Sequence, residues 1–117
     1  RGDEMHKITT DHSYIEELIK TGSLTREEAQ NHPKKHVITR ALGCSEEIIV
    51  DTYLSDIKDG DAFIICTDGL TNMLEEEEIK RIVKNIDDID AVCEELVRKT
   101  NENGGMDNVT VIVIRNN

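Results

Sequence analysis

Two continuous apolar runs, each bordered by an aspartate, most constrain the fold of this chain. The first run, Ala62 to Thr67, leads directly into Asp68, and the second, Val109 to Ile114, follows Asp107 and Asn108. A strand with one solvated face alternates apolar and polar residues, whereas these runs are apolar at nearly every position. They therefore predict central strands that are covered on both faces. If the two strands are antiparallel neighbours, Asp68 and Asp107 meet at one edge of the sheet.

Such a meeting of two aspartates has an electrostatic consequence. Two carboxylates that rigid strands hold a few ångströms apart repel each other unless a positive group lies between them. For hard oxygen ligands this group is usually Mg²⁺, Mn²⁺ or Ca²⁺. An Asp-Gly pair after a strand is also a common turn, so neither aspartate alone identifies a metal site.

Amphipathic helices are predicted between the two apolar runs. One extends from about Glu75 to Asn85, and the next begins at Asp87 or Asp88. The second has the clearest helical period, with apolar residues at i, i+3, i+4, i+7 and i+8. These residues are Ile89, Val92, Cys93, Leu96 and Val97. The pair can cover only one face of a sheet, so the other face is expected to stay exposed in this chain.

Shorter elements are predicted in the first half of the chain. Two helices are expected from capping boxes, in which a Ser or Thr is followed three residues later by Glu. The two pairs are Ser13 with Glu16 and Thr25 with Glu28. Short strands are expected at residues 5–9 and 48–54. No internal repeat or low-complexity linker interrupts the sequence, which favours a single domain over residues 1–117.

Composition excludes several classes of partner. The chain has 117 residues, a formal net charge of −11 and a pI near 4.7. Nucleic acids and anionic membranes both require clustered Lys and Arg, so neither is expected as a partner. The three cysteines, Cys44, Cys66 and Cys93, form no C-x-x-C pair. They are interpreted as reduced, mostly buried thiols, which favours a cytoplasmic location.

Four motifs in a fixed order carry a family resemblance. They are Thr10-Asp11-His12-Ser13, Thr39-Arg40-Ala41-Leu42-Gly43, Cys66-Thr67-Asp68-Gly69-Leu70-Thr71 and Asp107-Asn108-Val109-Thr110. In this order and spacing, the chain resembles the C-terminal half of the metal-dependent protein serine/threonine phosphatases, the PPM family or type 2C. The match is to the compact bacterial, Stp/PrpC-like form. It extends from about residue 5 to residue 114.

The resemblance implies a fold. The class is α+β, and the chain is the C-terminal portion of an αββα sandwich, with a mostly antiparallel sheet and an antiparallel helix pair on one face. Residues from about 13 to 43 correspond to the family's flap segment. The family's first half carries an Asn-Glu-Asp stretch, an Asp-Gly-x-Gly-Gly stretch and a phosphate-binding arginine, and residues 1–117 match none of them. The chain therefore resembles about half of a catalytic domain.

The resemblance also implies a chemistry. The family hydrolyses phosphoserine and phosphothreonine in proteins, the substrates of a bacterial serine/threonine kinase, at a binuclear Mn²⁺ or Mg²⁺ centre. Asp68 and Asp107 match metal ligands of the family, and Asn108 is a candidate for orienting Asp107. Arg40 could contact substrate or pack structurally. With half of the ligands missing, the chain alone is expected to be inactive.

Two other functions remain open from the sequence. The chain could be a non-catalytic regulatory or interaction module derived from the phosphatase fold, or it could come from a sporulation-type phosphatase that acts on anti-sigma-factor antagonists. The motifs around His12 and Arg40 favour the Stp/PrpC-like branch. The exposed sheet face further predicts a homodimer, because large apolar patches are rare on stable monomers.

Overall fold

The computed structural model describes all 117 residues, which form two compact units. Residues 1–6 and 55–117 form one unit, and residues 7–54 form the other. In chain order the elements are α1 (Tyr14–Lys20), α2 (Arg26–Gln30), β1 (Ala62–Cys66), α3 (Asp68–Thr71), α4 (Glu76–Asn85), α5 (Ile89–Glu102) and β2 (Val111–Arg115). None of the helices has the length and apolar character needed to cross a lipid bilayer. The assignment of residues 1–117 to one domain stays a prediction.

The two apolar runs form a two-stranded antiparallel ribbon, as expected. Its register pairs Ala62 with Arg115 at one end and Cys66 with Val111 at the other. The end of β1 therefore lies beside the start of β2, which confirms the predicted arrangement of the strands. The second strand begins two residues later than the apolar run predicted.

One face of the ribbon packs on the helices. The side chains of Ile64 and Val113, which are cross-strand neighbours, face a core contributed by α3, α4, α5 and the segment after α3. The buried members of this core outside the ribbon are Leu70, Leu74, Ile79, Ile82, Val92 and Leu96. The predicted period of α5 is confirmed, since Val92 and Leu96 are completely buried one turn apart. Apolar burial of this kind stabilises a fold by roughly 25 cal/mol per Å².

The opposite face of the ribbon is largely uncovered. Its residues are Phe63, Ile65, Ile112 and Ile114, which pair across the strands. Ile65 is 58% exposed, Ile112 is 52% exposed and Ile114 is 49% exposed. These apolar side chains have the sequence pattern of a buried strand, yet the helices of this chain reach only the other side.

Two arginines form hydrogen bonds at one end of the ribbon, where Ala62 pairs with Arg115. Arg115, in the last position of β2, donates hydrogen bonds to the carbonyl oxygens of Val83, Ile86 and Asp87, and so ties the strand to the end of α4. Arg1 donates through Nε at 2.8 Å and Nη2 at 2.6 Å to the buried carboxylate of Asp61. Such bidentate pairs are among the stronger charged hydrogen bonds in proteins.

The two predicted capping boxes are formed to different extents, completely at α2 and only in part at α1. Thr25 and Glu28 form the complete reciprocal box at α2. At α1, Ser13 accepts the amide of Glu16 at 3.1 Å, but the Glu16 carboxylate binds Arg26 instead of completing the box. The predicted box at α1 is therefore only half formed, because a long-range cation competes for the glutamate.

The strands expected at residues 5–9 and 48–54 are absent from the structure. A strand exists only when its backbone amides and carbonyls pair with a neighbouring strand, and apolar residues alone do not supply that neighbour. Both segments run as irregular chain, and Ile49, Val50 and Leu54 are highly exposed. Both strand predictions were therefore wrong for this structure.

The expectation that the cysteines are mostly buried was also wrong, because Cys44 and Cys66 are exposed and Cys93 is only partly buried.

Candidate metal site

The ribbon continues beyond its last strand pair through Thr67. The Thr67 amide donates to the carbonyl oxygen of Thr110 at 3.1 Å, and the Thr110 amide donates to the Thr67 hydroxyl at 3.1 Å. The same hydroxyl lies 3.3 Å from the carbonyl oxygen of Asn108, to which it donates. Thr67 therefore binds the backbone just before Asp68 to the backbone just after Asp107.

Asp68 is the first residue of α3, a short helix that the sequence pattern did not predict. Its carbonyl oxygen accepts the amide of Asn72 at 2.8 Å, so the backbone at Asp68 is fixed. The side chain is exposed and makes no hydrogen bond or ion pair. Asp68 thus presents a free carboxylate from a rigid position at the end of β1.

Asp107 lies in the connection between α5 and β2. Gly104 and Gly105, both with positive φ, turn the chain at the end of α5, where the Gly105 amide donates to the carbonyl oxygen of Thr100. The Asp107 carboxylate accepts the amide of Asn108 at 2.7 Å and has no cationic partner. Asn108 therefore does restrain Asp107, but through its backbone amide rather than through its side chain.

Gly69 sets how closely the two aspartate segments approach. A Cβ atom at this position would lie 2.1 Å from the carbonyl oxygen of Asn108 and 3.0 Å from its carbonyl carbon. Both distances are too short for non-bonded atoms, so only glycine fits between these backbones. Gly69 follows Asp68 and Asn108 follows Asp107, so the two aspartates flank a single backbone contact. No sequence pattern identified this contact.

Neither aspartate at this edge has a cationic partner in the structure. Four aspartates make ion pairs: Asp3 with Lys84, Asp11 with Lys7, Asp51 with Arg40, and Asp61 with Arg1. Asp68 and Asp107 make none, and the same holds for Asp56, Asp59, Asp87, Asp88 and Asp90. If the two carboxylates lie close together, they would attract a cation from solution, because no counter-charge balances them.

The donor set fits small hard cations. Mg²⁺ is typically held by one or two carboxylates together with water and substrate phosphate, whereas Ca²⁺ takes six to eight oxygen ligands. No group of three or more His, Cys, Asp or Glu side chains suited to a metal ion occurs in the structure. Two exposed carboxylates therefore match Mg²⁺ or Mn²⁺ better than Ca²⁺. Metal binding by Asp68 and Asp107, with Asn108 in support, stays a prediction.

The sequence missed a second polar cluster, which lies within residues 7–54. Asp51 binds both His12 Nε2 and Arg40 Nη1, at 2.6 and 3.0 Å. Arg40 also donates to the carbonyl oxygen of Ile49 at 2.8 Å. The guanidinium of Arg40, whose role was left open by the sequence, thus has structural partners. Asp51 gave no signal of its own, because it falls within a run interpreted as a strand.

Comparison with known proteins gives a consistent match. No family model matches the chain. The protein phosphatase PhpP of Streptococcus pneumoniae is 43% identical over 117 residues, which is all of this chain and 48% of that protein. The serine/threonine phosphatase of S. agalactiae has a solved structure that superposes with a TM-score of 0.92 at 35% identity, covering 100% of this chain and 48% of the other.

A third match concerns the metal. The catalytic domain of the serine/threonine phosphatase PstP, solved with two manganese ions, superposes with a TM-score of 0.81 at 31% identity. The superposition covers 97% of this chain and 46% of that one. In all three comparisons the chain spans about half the length of the protein that it matches.

Proposed function

We propose that this chain, which corresponds in sequence and fold to the C-terminal half of a PPM-family phosphatase domain, contributes to metal-dependent hydrolysis of phosphoserine and phosphothreonine in proteins. The observation that carries the proposal is the pair of exposed aspartates without ion pairs, Asp68 and Asp107, on either side of the Gly69–Asn108 contact. The similarity to named phosphatases over the whole chain supports the same reaction.

The residues of this chain have defined parts in that reaction. Asp68 and Asp107 would hold a divalent cation at the edge of the ribbon, and the amide of Asn108 keeps the Asp107 carboxylate oriented. Divalent cations supply charge neutralisation at the phosphoryl group and activation of the attacking water. No protein nucleophile is then required. The cation would be Mn²⁺ or Mg²⁺, in agreement with the manganese-bound relative.

The partners and location follow as finer proposals. The substrates would be phosphoproteins produced by a bacterial serine/threonine kinase. The location would be the cytoplasm, where Cys44, Cys66 and Cys93, none of which forms a disulfide, would stay reduced.

The chain alone should lack this activity. Two carboxylates cannot hold a binuclear centre, and the matched proteins are about twice as long. A chimera that joins this chain to the unmatched half of S. pneumoniae PhpP supplies the remainder. We expect this chimera to hydrolyse an aryl phosphate and a phosphothreonine peptide with Mn²⁺ at about 1–1,000 per second. The 117-residue chain should show little or no turnover at millimolar Mn²⁺.

The aspartates are tested in the same chimera. Asp68→Asn and Asp107→Asn should each lower the rate at least about 100-fold, because each removes a metal ligand. Asp59→Asn, which changes another exposed Asp-Gly aspartate near β1, should leave the rate within about twofold. A folded chimera with no manganese-dependent activity would contradict the proposed catalysis and favour a non-catalytic interaction module. Activity of the 117-residue chain would contradict the need for a second half.

The uncovered ribbon face supports a proposal for the chain on its own. Phe63, Ile65, Ile112 and Ile114 form an apolar face that a second copy would cover in a symmetric dimer. Sedimentation at tens of micromolar should give about twice the 13.2 kDa mass of the chain. Ile112→Lys should return it to the monomer mass. A monomeric wild-type chain with a cooperative melt would contradict the dimer.

A further inference from the structure

The segment from residue 13 to residue 43 is closed at its base by a minimal backbone bridge. The Tyr14 amide donates to the carbonyl oxygen of Val37, and the Thr39 amide donates to that of His12, both at 2.9 Å. Ser13 and Ile38 form the antiparallel bridge between these two bonds. Two hydrogen bonds are a weak closure for a segment of about thirty residues, since exposed backbone bonds open readily.

A single carboxylate holds both sides of this base. One oxygen of Asp51 lies 2.6 Å from Nε2 of His12, which immediately precedes the segment. The other oxygen accepts Nη1 of Arg40, near the segment's end, at 3.0 Å. Arg40 also donates to the carbonyl oxygen of Ile49, which anchors it to the same stretch of chain as Asp51. Each Asp51 oxygen therefore serves one side of the base.

Asp51 is the carboxylate that both His12 and Arg40 bind. Of the other acidic residues that line the same pocket, Asp11 binds Lys7, Glu16 binds Arg26, and Glu17 makes no ion pair. Neither His12 nor Arg40 binds another carboxylate. The hydrogen bond from His12, followed by that from Arg40, holds the pKa of Asp51 below its usual range. The Asp51 side chain thus stays ionised at neutral pH and acts only as an acceptor.

We infer that Asp51 is a latch that closes the base of segment 13–43, and that its removal lets this segment open while residues 55–117 stay folded. The inference explains why the motifs around His12 and Arg40 occur together, because both supply a partner to one carboxylate. It does not depend on the proposed phosphatase activity, since neither metal nor phosphate takes part.

Hydrogen exchange of the 117-residue chain at neutral pH tests the latch. The reporters are the amides of Tyr14 and Thr39, which close the base and do not contact Asp51. Asp51→Ala removes both side-chain contacts, so these amides should exchange roughly tenfold faster than in the wild type. Asp11→Asn is the matched control, because it removes a neighbouring ion pair with Lys7 that does not join the two sides. Its reporter amides should exchange at the wild-type rate.

A double-mutant cycle of Asp51→Ala and Arg40→Ala shows whether faster exchange results from loss of the Asp51 contacts or from a general loss of stability. Arg40→Ala should speed exchange at Tyr14 and Thr39 in the wild type but add little in the Asp51→Ala background, because the shared contact is already lost. Amides of the β1–β2 ribbon should be unchanged in every variant. The inference would be overturned if the Tyr14 and Thr39 amides of Asp51→Ala exchanged at the wild-type rate. It would also be overturned if the ribbon amides of Asp51→Ala accelerated as much as these two amides. If Asp51→Ala does not fold, the same measurement is made on Asp51→Asn. The inference is overturned if the Tyr14 and Thr39 amides exchange no faster in Asp51→Asn than in Asp11→Asn.

Discussion

An Asp-Gly pair stands beyond each end of β1, and the structure uses the two glycines differently. Gly60, before the strand, has a φ of +83°, and a Cβ there would meet nothing within 4 Å. Gly69, after the strand, has no such backbone conformation, but its Cβ would lie 2.1 Å from the Asn108 carbonyl oxygen. One position needs glycine for its backbone angle and the other needs it for space. The same dipeptide forms a plain turn at one end and sets a close contact at the other.

The aspartates next to the two ends of β1 differ in burial and in hydrogen-bond partners. Asp61, at the start of the strand, is buried and accepts hydrogen bonds from Arg1 and from the amide of Lys58. Asp68, at the other end, is exposed and has no partner. The first carboxylate has the partners of a structural residue, whereas the second has none. We therefore expect a structural role at the start of β1 and a metal-binding role at its end.

Substitution of Gly60 and Gly69 by alanine should give the largest difference in stability and in Mn²⁺ affinity between the two ends of β1. Gly69→Ala forces the backbones of residues 69 and 108 apart by about 1 Å, which should lower the free energy of unfolding by about 3 kcal/mol. Gly60→Ala strains only the local backbone and should cost about 1–2 kcal/mol. Metal sites tolerate changes of only about 0.2 Å in ligand distance, so Gly69→Ala should also weaken Mn²⁺ binding more than about tenfold. Gly60→Ala should not.

Chemical denaturation and Mn²⁺ titration followed by electron paramagnetic resonance measure these two effects. If Gly69→Ala bound Mn²⁺ as tightly as Gly60→Ala, the contact with Asn108 would not control the aspartate pair.

Asp61→Asn tests whether the buried carboxylate at the start of β1 stabilises the fold, and Asp59→Asn is the control at an exposed aspartate. The hydrogen bonds from Arg1, and then from the amide of Lys58, hold the pKa of Asp61 far below its usual range. Its ionised form therefore stabilises the fold fully above the ordinary aspartate pKa of about 3.9, and this contribution is lost as pH falls towards the lower folded value. Asp61→Asn should lower the melting temperature at pH 7 by several degrees and should flatten the loss of stability below about pH 4.

Melting curves from pH 7 to pH 2 measure this dependence. A melting temperature at pH 7 that is equal in the wild type, Asp61→Asn and Asp59→Asn would show that the buried pair with Arg1 contributes nothing to the fold.

Asp68→Asn should give the smallest change in stability. Without metal, the substitution removes a charge that no cation balances near Asp107, so the free energy of unfolding should rise or stay within about 0.5 kcal/mol of the wild type. Denaturation in a chelating buffer measures this. A loss of more than about 1 kcal/mol would mean that Asp68 is a structural residue like Asp61.

The sequence predicted the elements that depend on local pattern. The period of α5, the strands in the two apolar runs and their antiparallel pairing were all confirmed, whereas cover on both faces of the strands is not present in this chain. The strands expected at residues 5–9 and 48–54 were wrong, because a strand also needs a partner. The order of motifs led to the correct half of a known domain.

The sequence could not predict contacts between distant backbones and side chains. The Gly69–Asn108 contact joins residues 39 positions apart, and an Asp-Gly pair looks the same in a turn as it does here. The pairing of Asp51 with His12 likewise joins residues 39 apart. Glu16 has the spacing of a capping box, but Arg26 attracts its carboxylate. Such choices depend on which groups the fold brings together.

The central claim is that Asp68 and Asp107 bind one divalent cation beside the C-terminal end of β1. Paramagnetic broadening of backbone amide signals by substoichiometric Mn²⁺, measured on the 117-residue chain, tests this claim without any need for activity. We predict that the amides of Asp68, Gly69, Asp107 and Asn108 broaden together, and that Asp68→Asn or Asp107→Asn abolishes the effect at both segments. Broadening confined to another acidic stretch, such as residues 75–78, would contradict the account.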